Sequence, residues 1–126
     1  MNKSAIRPAK AAPAGGPYSH AVRVGDFLFC AGQIPLDPAT GQLVAGDIRA
    51  QTARVLQNIQ LILEDQGLSF DNIVKTTVFM TNLGDFAAMN ETYATYFSQA
   101  PPARSTVQVS ALPRGVNVEI EAIAHY

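Results

Sequence analysis

One arginine and two glutamates near the C-terminus are the residues whose types and spacing best suit chemistry. Arg104 lies in residues 102–109, PARSTVQV, and Glu119 and Glu121 lie in residues 118–124, VEIEAIA. Side chains alternate along an extended backbone, so Arg104, Thr106 and Gln108 share one face of the first run, and Asn117, Glu119 and Glu121 share one face of the second. Val107 and Val109, then Val118, Ile120 and Ala122, take the other faces. With a turn centred between Leu112 and Pro113, antiparallel pairing is expected to set Thr106 opposite Glu119 and Arg104 opposite Glu121. A fixed cation within one side chain of a carboxylate is an anion-binding site with a base beside it, and parity leaves both acids eligible.

Other reactive side chains are sparse. Cys30 is the one cysteine and cannot form an internal disulfide, which fits a reducing, cytoplasmic location. A Cys30 nucleophile activated by His20 is a weaker alternative, because isolated cysteines more often serve packing. His20 and His125 are far apart and belong to no recognisable ligand motif, so a classical zinc site is not expected. Nine basic and ten acidic residues are spread along the chain without a run of either sign, giving a net charge of −1. A polyanion-binding surface needs clustered charge, so nucleic acid is not an expected partner. No segment approaches the apolar span of about 20 residues that a membrane helix requires, and the N-terminus lacks the apolar core of a signal peptide.

The chain must position these residues with one domain. Its 126 residues can bury roughly two-thirds of the unfolded surface around a single core. Residues 1–16, rich in Ala, Pro and Gly, read as an extended arm, and residues 17–126 as the domain. Residues 18–24 and 27–32 read as strands joined by a tight Gly25-Asp26 turn. Asp47 is a candidate N-cap for a helix whose apolar stripe comprises Ile48, Val55, Leu56, Ile59, Ile62 and Leu63, with Gly67 as its stop. Ile73–Met80 is dense in β-branched residues and reads as a strand. A second helix is expected over residues 85–98, burying Phe86, Met89, Tyr93, Tyr96 and Phe97 before Pro101 and Pro102 end it. The small residues Cys30, Ala31 and Gly32 would admit close approach of a backbone or a ligand. This order predicts an α+β fold, one mixed sheet with two helices on one face. Apolar residues on both faces of several strands predict that sheet faces meet in an oligomer.

The chain resembles the Rid (YjgF) family, specifically its RidA-type imine/enamine deaminases. The resemblance rests on GPYSHAV at residues 16–22, AGQIPLDPATG at 31–41, IVKTTVFMTNLGDFAAMNETYATYF at 73–97, PARSTVQV at 102–109 and VEIEAIA at 118–124. It implies a chorismate-mutase-like fold and a homotrimer with inward-facing sheets and clefts between subunits. The implied activity is hydrolysis of 2-aminoacrylate and 2-aminocrotonate, or their 2-imino acid tautomers, to 2-oxo acids and ammonia, without a cofactor, downstream of pyridoxal-phosphate-dependent dehydratases. On that resemblance Arg104 grips the substrate carboxylate, Glu119 rather than Glu121 positions or activates water, and Tyr18, Gly32, Asn90 and Thr106 line the substrate. Two positions depart from the family pattern: Thr106 stands where cysteine is common, and Ala31 where serine is common. The competing readings are a sensor that binds small carboxylates without catalysis and an RNA-cleaving inhibitor of translation.

Overall fold

The computed structural model describes residues 2–97 and 99–126. The stripe expected from residue 48 forms α1 (Ile48–Asp65), and Ile48, Val55, Leu56, Ile59, Ile62 and Leu63 are all buried. Asp47 caps it by accepting a hydrogen bond from the Ala50 N–H at 3.0 Å. Its other end closes in a Schellman motif. Leu68 N–H donates to Leu63 O and Gly67 N–H to Glu64 O, with Gly67 in the left-handed region at φ 71°. Each large aliphatic side chain on this stripe contributes about 1.5–3 kcal/mol on burial, so packing rather than helix propensity holds α1 in place.

That stripe covers a six-stranded sheet. In chain order the strands are β1 (Lys3–Ile6), β2 (Ala21–Val24), β3 (Phe27–Gln33), β4 (Ile73–Met80), β5 (Ala103–Gln108) and β6 (Val118–His125), arranged β1-β2-β3-β6-β4-β5. Residues 3–6, within the segment expected to be an arm outside the domain, instead form a strand that pairs with β2 at the sheet edge. Every neighbouring pair is antiparallel except β4 and β5. Those two run parallel because α2 (Phe86–Ala94) carries the chain back across one face between them. Both helices lie on that face, over Leu28 and Cys30 of β3, Val78 and Met80 of β4, and Val118, Ile120, Ala122 and Ala124 of β6. The polar Thr76 is fully buried among them, and its hydroxyl meets that of Tyr93 at 2.7 Å, which removes the cost of an unpaired buried hydroxyl. Across the sheet, Phe27, Phe29 and Val107 are more than two-fifths exposed.

Two further sequence expectations are corrected. The second helix ends at Ala94, short of the expected Ser98, which lies outside the described residues, and it buries Met89 and Tyr93 while Phe86 is exposed. The larger correction concerns the C-terminal pair of strands. β5 and β6 do not form a hairpin, because β4 lies between them and bonds to both. Thr106 is therefore opposite Val78, Arg104 opposite Thr76, Glu119 opposite Phe79 and Glu121 opposite Thr77. The connection between β5 and β6, which includes the short helical turn Pro113–Gly115, is long enough to step across an intervening strand, a span of about 10 Å.

Candidate active site

Arg104 owes its surroundings to its register. As the partner of Thr76 it faces the helices, at the strand where the sheet ends. On α2, Phe86, Asn90 and Tyr93 recur at helical spacing and present one face to it. The guanidinium carbon lies 4.7 Å from the centre of the Tyr93 ring and 5.6 Å from that of Phe86. Negative ring faces hold a planar cation without neutralising it, so its N–H groups remain available to an anion. Burial raises the pKa of the Tyr93 hydroxyl, against the opposing effects of the Thr76 hydrogen bond and of the charge and hydrogen bonding of Arg104. Nearby in sequence and register, Asn90 Oδ1 and Thr106 Oγ1 are buried with no hydrogen-bond partner among the described residues. Buried polar atoms are normally paired, so these two mark capacity for a ligand or water. Sequence reading placed Tyr93 only in the packing stripe. Its spacing of three from Asn90 was the available signal for a role beside the arginine.

Glu119 is positioned by a different pair of strands. It alternates with the buried Val118 and Ile120 and so emerges on the face away from the helices. There β3 carries an irregularity between Cys30 and Gln33, and Gly32 lies within it. A Cβ on Gly32 would fall on Glu119 Oε2 and only 2.8 Å from its Cδ, so the carboxylate occupies the space a side chain would need. Burial, with a smaller contribution from the Glu121 charge, raises the pKa of Glu119. A carboxylate held this way takes up a proton more readily than an ordinary glutamate. Glu121 is exposed on the same face.

Gly32 also borders a cavity of about 400 Å³ that includes Tyr18 and is covered by residues 11–15. Tyr18 is half exposed, and its hydroxyl accepts from the Gly15 N–H at 3.2 Å. His20 is buried and donates from Nε2 to Ala12 O at 2.5 Å. Cys30 does not suit the alternative role of nucleophile. It is buried on the helix face, and burial pushes its thiol up to about 12, so the thiolate is scarce at neutral pH.

Among the described residues, no group of three or more His, Cys, Asp or Glu side chains is arranged to hold a metal ion. No helix among them is long and apolar enough to cross a membrane.

The family model described as Endoribonuclease L-PSP matches residues 9–126. The chain belongs to this family, the Rid or YjgF family. Its Rid relatives include a RutC family protein of Pyrococcus abyssi, 53% identical over 125 residues that cover 99% of this chain and 98% of that one. The 2-iminobutanoate/2-iminopropanoate deaminase of Mus musculus is 48% identical, over 97% of this chain and 90% of the relative. Among solved structures, that of E. coli TdcF with bound serine superposes with a TM-score of 0.92 at 43% identity, covering 98% of each chain. In this Rid protein the six expected site residues fall into two groups. Gly32 and Tyr18 border one cavity, with Glu119 against Gly32, whereas Arg104, Asn90 and Thr106 belong to α2 and β5 on the helix side. The single chain does not bring the two groups together.

Proposed function

We propose that this protein is a hydrolase of 2-imino acids and their enamine tautomers, such as 2-aminoacrylate and 2-aminocrotonate. The observation that carries the reading is the Glu119 carboxylate, lodged against Gly32 on the sheet face away from the helices, with a raised pKa. The mammalian relatives named 2-iminobutanoate/2-iminopropanoate deaminase support the substrate class.

Arg104 binds the substrate carboxylate through its free guanidinium edge, each well-aligned charged hydrogen bond contributing about 1.5–3 kcal/mol. Asn90 Oδ1 and Thr106 Oγ1 supply further contacts to substrate or water, and the thiol common at the position of Thr106 is not required. With the imine nitrogen already protonated from solvent, Glu119 accepts a proton from water as the oxygen adds to the C=N carbon. The resulting carbinolamine collapses: Glu119 returns its proton to the nitrogen and then takes the hydroxyl proton as the C=O bond forms and the C–N bond breaks, so that ammonia leaves with a 2-oxo acid and Glu119 releases the last proton to ammonia or solvent. Such proton transfers typically contribute about 10²–10⁴-fold to the rate.

Because Arg104 and Glu119 belong to opposite faces of one sheet, each complete site takes its arginine from one copy and its glutamate from another. A homotrimer in which the exposed apolar face around Phe27, Phe29 and Val107 is covered by neighbouring copies satisfies both needs. The substrate is supplied by pyridoxal-phosphate-dependent dehydratases. A serine or threonine dehydratase assay with this protein added is expected to form 2-oxo acid faster than by spontaneous hydrolysis of the released imine. Saturable binding of 2-oxobutanoate with no acceleration would instead identify a carboxylate sensor. A second reading, RNA cleavage, has the description of the family model in its support. Its test is incubation of nuclease-free protein and of Glu119→Gln with single-stranded RNA, where cleavage that the substitution removes would establish it.

A further inference from the structure

Residues 11–15 read Ala-Ala-Pro-Ala-Gly, a segment whose side chains are too short to fill the space it passes over. It forms one wall of the cavity of about 400 Å³, and Leu61 of α1 with Ile34, Leu36 and Pro113 makes much of the remainder apolar. Asn58 fixes the wall after β3. It is buried on α1 and donates to Ile34 O at 3.1 Å and to Leu36 O at 2.8 Å, while its Oδ1 accepts from Arg54. The cavity shares Gly32 and Tyr18 with the residues expected at the imino-acid site, but Arg104, Glu119, Asn90 and Thr106 are all absent from its walls.

One polar atom in this surface has no partner. His20 is only 8% exposed, and its Nε2 meets the Ala12 carbonyl at 2.5 Å. A carbonyl only accepts, so Nε2 carries the hydrogen and Nδ1 of the neutral ring presents a bare lone pair. That Nδ1 is buried without a hydrogen-bond partner among the described residues. Buried polar atoms are normally paired, so an orphaned acceptor beside a cavity marks the place of a ligand's donor. The other uncharged polar side chains of the walls are engaged: Asn58 as above, Gln33 by donating to Ala31 O, and Tyr18 by accepting from the Gly15 N–H. Arg114, the one Arg, Lys, Asp or Glu in the lining, is exposed. An ionised group deep in the cavity would have no buried counter-charge, and that favours a neutral ligand. Apolar walls with one placed polar group, and a volume above the lower bound of about 300 Å³, are the features of a small-molecule pocket.

We propose that this cavity is a second ligand site, separate from the imino-acid site, for neutral bicyclic aromatic molecules that carry one N–H or O–H donor. The ring system packs against the apolar walls and the rings of Tyr18 and His20, and the donor bonds to His20 Nδ1. A single ring would leave much of the volume without contacts. The assignment does not depend on the hydrolase reading.

Indole is the simplest probe, because its nitrogen only donates. The chain has no tryptophan, so emission excited at the red edge of the indole band comes from the added ligand alone. Titration of indole with the full chain is expected to give a saturable blue shift with one site per chain. 1-Methylindole lacks the donor and is expected to bind at least about threefold more weakly, as loss of one neutral hydrogen bond requires. His20→Phe keeps a ring in place and should bring the two ligands to equal affinity, while Leu61→Phe adds bulk to the wall and should weaken both. In the unsubstituted protein, the nitrogen-15 signal of His20 Nδ1 should move on addition of indole while the signals of His125 stay. Saturating 2-oxobutanoate and Arg104→Ala should each leave the indole affinity unchanged. Absence of saturable binding, equal affinity for the two ligands in the unsubstituted protein, or an unmoved His20 signal overturns the proposal. So does displacement of indole by 2-oxobutanoate, which would assign the bound ring to the imino-acid site.

Discussion

Arg104 and Glu119 lie on opposite faces of the same sheet, on strands separated by β4. A site that uses both needs two copies of the chain, and this can be tested by complementation. Arg104→Ala and Glu119→Gln are each expected to be inactive alone. Unfolded together in equal amounts and refolded, they should recover roughly one quarter of the unsubstituted rate, the fraction of clefts in a randomly mixed ring that receive both intact residues. A mixture that stays inactive although mixed oligomers form would place both residues in the same chain's site.

Gly32→Ala is expected to be more damaging than its size suggests. The added methyl would collide with the Glu119 carboxylate, which must move out of position. Overpacking of this kind costs about 1–3 kcal/mol of stability, and the displaced base should cost at least tenfold in kcat. Urea unfolding and the coupled dehydratase assay measure the two effects separately.

The raised pKa of Glu119 has a defined sign for stability. The folded state binds its proton more tightly than the unfolded chain does, so the stabilising contribution is present at low pH. It is lost as pH rises from the unfolded value through the folded one. At neutral pH Glu119→Gln should therefore raise Tm while abolishing activity, and the difference in Tm should close in acid. Thermal unfolding at several pH values checks it.

Glu121 should be visible in the pH profile without being essential. Its charge contributes to the raised pKa of Glu119, so Glu121→Gln should move the acid limb of kcat/KM to lower pH and leave the plateau rate within about threefold. An unchanged limb combined with a large loss of rate would make Glu121 the base.

Tyr93 should act through Arg104. Replacing the ring by leucine removes the cation–π contact at 4.7 Å, commonly worth about 0.5–2 kcal/mol, and is expected to raise KM for the imino acid by about three- to thirtyfold with a smaller change in kcat. Tyr93→Phe keeps the ring and loses the bond to Thr76, so it should retain most of the affinity at some cost in stability. Binding of 2-oxobutanoate and of its amide separates loss of carboxylate recognition from general damage.

Much of this architecture was legible in residue order. The stripe from Ile48 to Leu63, the Asp47 cap, the Gly67 stop and the β-branched run Ile73–Met80 follow from local rules that act within one element. The strand start at Phe27 follows in the same way. So does the grouping of Arg104 with Thr106, and of Glu119 with Glu121, because alternation is a property of the extended backbone itself. The ordered blocks of residues carried the family as well.

Alternation says which residues share a face, but not which way that face points or which strand lies alongside. Those were settled by packing over distance. β4 had to place Thr76, Val78 and Met80 under the helices, α2 returned the chain parallel to it, and β6 filled the remaining place between β3 and β4. The apparent hairpin between Arg104 and Glu119 was thereby divided by a strand. Likewise, only the tertiary structure brought Gly32 against Glu119 and Tyr93 against Arg104, since those contacts join segments that no local rule connects.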